Sequence, residues 1–148
     1  MSEQETNKEL TSRFLEGVFN QHDLSVFDEL IAVDFVEHEE VPVPGITPDK
    51  AGSRQGFALM FEAFPDMHIE VENMVANGDR VAIRSTFTGT HQGEMMGIPA
   101  TGKQVRVGAM DIVRLRDGKT TDHWGVLDNL GMLMQLGVIP TPGEVPAG

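Results

Sequence analysis

The chain has 148 residues, with 11 Lys+Arg against 23 Asp+Glu, a formal net charge of −12, 40% hydrophobic residues and no cysteine. That length serves one core of globular composition, and the acidic balance repels phosphate backbones and anionic lipid, so neither nucleic acid nor membrane is an expected partner. Without cysteine there is no disulfide, thiol nucleophile or thiolate metal site, and the acidic start Met1-Ser2-Glu3 lacks a secretory pattern, so a cytoplasmic protein is expected.

The first predicted element is a helix, because Leu10, Phe14, Leu15, Val18 and Phe19 form one apolar stripe. Asp23 caps a second, short helix with Leu24, Phe27, Leu30 and Ile31 on one face. A short strand is predicted over Asp34 to Glu37. Thr47-Pro48-Asp49 signals a helix start, with Thr47 as cap and Pro48 at the first position. That helix turns Phe57, Met60, Phe61 and Phe64 inward and stops at Pro65-Asp66.

Beyond Pro65 the period drops to two. Met67, Ile69 and Val71 alternate with His68, Glu70 and Glu72, and Asn77-Gly78-Asp79 marks a hairpin before Val81, Ile83 and Phe87. A Gly-bearing loop from Gly93 to Gly102 leads into a long strand with Val105, Val107, Ala109, Asp111, Val113 and Leu115 on one face. Arg116-Asp117-Gly118 turns it back into Thr120 to Asp128. Asn129 is predicted to cap a closing helix that Gly137 ends. This order predicts one α+β domain over residues 1–139, its N-terminal helices packed on a strongly curved antiparallel sheet that makes a cone with a hollow. Residues 140–148, rich in Pro and Gly, read as a tail.

No phosphate-binding loop, dinucleotide fingerprint, HExxH or GxSxG motif is present, and no two of the five histidines share a helix face. Neither a metal nor a cofactor is therefore expected. Asp111 stands out, since a carboxylate on an apolar strand face needs compensation by hydrogen bonds or protonation. It is either structurally paired or a pocket acid or base. A three-residue turn at 116–118 would place His123 opposite Asp111, both inward; a two-residue turn would send Asp122, Trp124 and Asp128 inward instead. The first is favoured, because it leaves Asp122 and Asp128 outside and Trp124 on the outer face.

Glu37-His38-Glu39-Glu40 reads as a solvated acidic run, yet alternation sends Glu37 or His38 to the mouth of the cone. Phe14 lies on the inward stripe as a candidate wall of the hollow. His91, before the Gly-bearing loop, is a candidate binding residue whose simpler reading is loop anchoring. The nine methionines suit either an adaptable apolar pocket or plain core filling.

Phe64-Pro65-Asp66-Met67-His68, Gly89-Thr90-His91-Gln92-Gly93, Gly97-Ile98-Pro99-Ala100-Thr101-Gly102-Lys103, Asp117-Gly118-Lys119 with Asp122-His123-Trp124, and Gln135-Leu136-Gly137 together resemble the SnoaL-like polyketide cyclases, from about Glu9 to Pro140. The resemblance implies the NTF2-like cone-shaped barrel, a homodimer, and cofactor-free closure of a polyketide ester ring by intramolecular aldol condensation. It also implies a catalytic Asp two residues after the His of the Asp-His pair, where this chain has Gly125, and a pocket His where it has Asp111. Either the acid has crossed to Asp111, with His123 orienting it or sharing its proton and Glu37 or His38 holding a polar group, or the chemistry is absent. The expected substrate is a small apolar carbonyl compound; the other reading is a non-catalytic binding module of the same fold.

Overall fold

The computed structural model describes residues 1–40 and 43–143; the end of the expected tail, from 144 onward, lies outside the described residues. In chain order the elements are α1 (Glu3–Phe14), a π-helical turn (Leu15–Asn20), α2 (Leu24–Leu30), β1 (Ile31–Glu37), α3 (Lys50–Ala63), β2 (His68–Asn77), β3 (Arg80–Thr90), β4 (Gln104–Arg116), β5 (Lys119–Leu127) and α4 (Asn129–Gln135). The α+β order is as expected. The sheet runs β1-β5-β4-β3-β2, with α1 against β2 and β3, α3 against β1 and α4 against β4.

Three details differ from the sequence reading. The sheet is mixed, because β1 is longer than expected and joins β5 in parallel. It follows α2 without a loop, Ile31 turning from helix cap to extended backbone, and that direction fixes the pairing. The caps of α3 and α4 are Asp49 and Asp128, which accept from the N–H of Gly52 and Gly131; each carboxylate contributes about 1 kcal/mol. Thr47 instead donates to Asp49, and Asn129 is the first helical residue.

The core forms where the two periods meet. Alternate residues of β3, Val81, Ile83, Ser85 and Phe87, are buried. Phe87, Val105 and Val107 pack with Phe64, Met67, Met132 and Leu136 from α3, α4 and their flanks. Val18, Phe27, Ile31 and Phe35 make a second centre. Each such side chain stabilises by about 1.5–3 kcal/mol. The inner face of β4 is sealed at Val105, Val107 and Leu115 but only half-buried at Ala109, Asp111 and Val113. The sheet therefore opens at Asp111.

The free edge of β2 is protected. The Asn20 carboxamide, at the end of the π-helical turn, accepts from the Ile69 N–H at 2.7 Å and donates to the Ile69 carbonyl at 3.2 Å. It mimics a neighbouring strand where the backbone would otherwise be unpaired.

Candidate functional site

The β4–β5 hairpin sets the site, by a route neither predicted turn described. Its turn has two residues, Asp117 and Gly118, both at positive φ (52° and 77°), and Arg116 faces Lys119. Left alone, that turn would put His123 on the outer face. A bulge between Arg114 and Leu115 of β4 and the residues opposite them, Asp122 and Thr120, inserts Thr121 as an extra residue. It restores the phase. Val113 then faces His123, and Asp111 faces Gly125. The inward orientation of both side chains stands; the turn length assigned to it is corrected, and so is the expected pairing, since His123 lies opposite Val113 and not Asp111.

His123 Nε2 donates to Asp111 Oδ1 at 2.7 Å, and Nδ1 donates to Glu37 Oε1 at 2.6 Å. The parallel register places Glu37 beside His123. Burial alone would lower the His123 pKa, but the hydrogen bonds and negative charges of Asp111 and Glu37 outweigh it and push it up from 6.5 to about 10. The ring is an imidazolium at neutral pH, with both N–H groups engaged. It can orient carboxylates and hold positive charge, but it has neither a lone pair nor a free proton for a substrate. Orientation of Asp111 is the part of the expected role that these two bonds suit.

Glu39, treated in sequence as part of a solvated run, belongs to the same group. Its Oε2 lies 3.9 Å from His123 Nδ1, and its backbone N–H donates to Glu37 Oε1 at 3.0 Å. Alternation from Glu37 is the signal that could have found it. Ligand atoms of Glu37, Glu39 and His123 lie within 4.8 Å of one another. A cation there would have to displace the proton on Nδ1 that Glu37 accepts.

The other candidates lie elsewhere. His38 points to the outer face, donating to Asp122 Oδ2 at 2.9 Å and stacking on Trp124 at 4.6 Å between ring centroids, while Arg80 lies 5.0 Å from the Trp124 ring centre. His91 is fully buried, its Nδ1 accepting from the Thr101 N–H at 3.2 Å, a bond that anchors the Gly93–Gly102 loop, while its Nε2 has no hydrogen-bond partner among the described residues. Phe14 packs edge-on to Phe57, 6.0 Å between centroids, in the aromatic core between the helices. Gly125 contributes space: a Cβ there would stand 2.4 Å from Asp111 Oδ1 and 2.9 Å from His123 Nε2.

Two hollows of about 360 Å³ lie away from this group. One is between the π-helical turn and β2, lined by Leu15, Glu16, Asn20 and Ile69, and the other is on the sheet around Gly108, beside Arg84, Met110 and Val126. Asp111 and His123 reach solvent directly, their side chains 24% and 21% exposed. Among the described residues no helix is long and apolar enough to cross a membrane.

Residues 9–136 match the family described as SnoaL-like polyketide cyclase. Aklanonic acid methyl ester cyclase DnrD of Streptomyces peucetius is 36% identical over 85 residues, 57% of this chain and 59% of that protein, so the chain spans less than two thirds of that relative. Among solved structures, IdmH of Streptomyces antibioticus, a candidate polyketide cyclase, is 36% identical with a TM-score of 0.76, over 88% of this chain and 98% of that one. AclR of Streptomyces galilaeus, a candidate hydroxylase, is 33% identical with a TM-score of 0.81, over 97% of this chain and 86% of that one. By this match across most of its length, the chain belongs to the SnoaL-like polyketide cyclase family.

Proposed function

We propose that the protein is a cofactor-independent cyclase for a small, largely apolar polyketide-type ester, with Asp111 as its base. The observation that carries this reading is the hydrogen-bonded row Asp111–His123–Glu37, set where the inner face of the sheet opens. The Asp111 carboxylate takes the proton alpha to a carbonyl. The resulting enolate carbon attacks a second carbonyl of the same molecule, forming the ring bond, and the new alkoxide then takes up a proton. No oxidant or reductant is needed. The fixed imidazolium holds Asp111 by Oδ1 and supplies positive charge beside the developing oxyanion.

The test is ring closure of aklanonic acid methyl ester, the substrate type named for the relative DnrD, by the wild-type protein and by Asp111→Asn. Turnover by the first and its loss in the second support the reading; equal turnover by both removes Asp111 as base. A second reading, a binding module without turnover, is favoured by Gly125, which stands where the family resemblance places an acid. Stoichiometric binding of the ester without ring closure selects it.

A further inference from the structure

We propose that Glu37 is a positioning residue for this chemistry: by accepting one ring N–H of His123 it aims the other at Asp111 and removes the ring as a competing base. The inference rests on the reading of Asp111 as base and says why the acid, and not the histidine beside it, has that role. Histidine is the commonest general base, because a neutral ring keeps a lone pair on one nitrogen.

An ionised carboxylate can only accept, so a ring held by two of them carries a proton on each nitrogen. Asp111 alone would need only one, at Nε2, and Glu37 is the residue that calls for the second, at Nδ1. The Glu37 carboxylate is itself fixed. Its Oε1 also accepts the Glu39 N–H at 3.0 Å, and the Glu37 backbone N–H donates to the Pro48 carbonyl at 3.0 Å. The next residue ties the same end of β1 to β5, where the His38 N–H donates to the His123 carbonyl at 2.9 Å. On the outer face the His38 ring bonds Asp122 at 2.9 Å and stacks on Trp124. β1 therefore grips β5 from both faces at the residue whose ring it orients.

Glu37 acts through the ring rather than on a substrate. Its side chain is 15% exposed, the least of the three, and it meets the nitrogen on the far side of the ring from Asp111. The acids that face the ring are Asp111 from β4, Glu37 from β1 and Glu39 just beyond it. Glu39 brings charge to 3.9 Å of Nδ1 but accepts no bond from it. In Glu37→Gln the carboxamide can donate to Nδ1 instead, so a neutral ring with its one proton on Nε2 satisfies both neighbours.

Nitrogen-15 NMR titration of His123 in the whole protein tests this without substrate. The wild-type ring should titrate at about 10, and the ring in Glu37→Gln well below that, toward the ordinary 6.5. An unchanged titration overturns the proposal, and so does an equal fall in Glu39→Gln, which removes charge without removing a bond to the ring. With aklanonic acid methyl ester as probe, Glu37→Gln should lower kcat roughly 10–10²-fold, the worth of one charge-assisted bond, at an unchanged KM. The alkaline limb of its pH profile should move down with the His123 titration. A change in KM alone overturns the proposal, since it would put Glu37 on the substrate. Should Glu37→Gln not fold, Glu37→Asp, one methylene short of Nδ1, is read by the same criteria. Turnover unaffected by Asp111→Asn strikes the base assignment instead, and if the probe is not turned over the His123 titration alone decides.

Discussion

Asp111 and Gly125 are cross-strand partners, and the carboxylate of the first occupies the volume that a side chain at the second would need. The two positions are one choice made twice: an acid can reach this point from β4 only if β5 contributes no side chain. In Gly125→Ala the new methyl would lie 2.4 Å from Asp111 Oδ1 and 2.8 Å from His123 Cε1, so the Asp111–His123 bond must open. The variant should fold, lose most of its turnover and show a lowered His123 pKa by nitrogen-15 NMR. A His123 titration left at about 10 would contradict the coupling.

Asp111→Asn retains an oxygen that can accept from His123 but removes the charge and the base. Turnover should fall roughly 10²–10⁴-fold. An unpaired carboxylate on an apolar strand face would be a stored cost whose removal left stability unchanged or raised it. The bond of Asp111 to the imidazolium reverses that: losing a charge-assisted bond should cost about 1–3 kcal/mol, read as a lower melting temperature. A rate near wild type with a lower melting temperature would leave Asp111 a purely structural partner.

The His123 proton gives stability a pH dependence of defined sign. A group held more tightly in the folded state contributes fully below its unfolded pKa and loses that contribution as pH rises to the folded one. Melting temperature should therefore decline from about pH 6.5 to about pH 10. Glu39 has the same sign at lower pH: its contribution is present below 4.5 and lost as pH rises through its folded value. Thermal melts across the window, repeated with His123→Gln, check this. A flat wild-type curve contradicts it.

Activity should survive a chelator. The Nδ1 atom that a cation near Glu37 and Glu39 would need is protonated and bonded at 2.6 Å. Loss of turnover on EDTA treatment, restored by one divalent ion, would redirect attention to Glu37, Glu39 and His123 as ligands.

The protein should be a homodimer through the outer face of its sheet. Met110 is 55% and Val126 71% exposed there as cross-strand partners, with Ile112 the next residue along the same face, and a second copy of the same face is the partner that covers them symmetrically. Light scattering should give a mass above the 16.2 kDa of one chain. A single-chain mass at every concentration excludes it.

Much of this was legible in the sequence, because it depended on local period. Alternation from Val105 to Leu115 put Asp111 on the inner face, and Asp23 and Gly137 behaved as the cap and stop their types suggest. What escaped was set by distant partners. Nothing near Glu37 reveals that β1 will lie parallel to β5, yet that pairing delivers it to His123. Asp117-Gly118 is a two-residue turn by its own chemistry, and only the bulge at Thr121 reconciles it with an inward His123. Glu39 looked solvated because four charged or ionisable residues in a row usually are.

Trp124 sits directly behind the site, on the reverse side of β5 from His123, held between His38 and Arg80. It is the only tryptophan, and the chain has no tyrosine. Nearly all ultraviolet emission therefore originates one residue from the proposed chemistry, so the protein carries its own optical probe, and a ligand that shifts the strand should change its emission without any label.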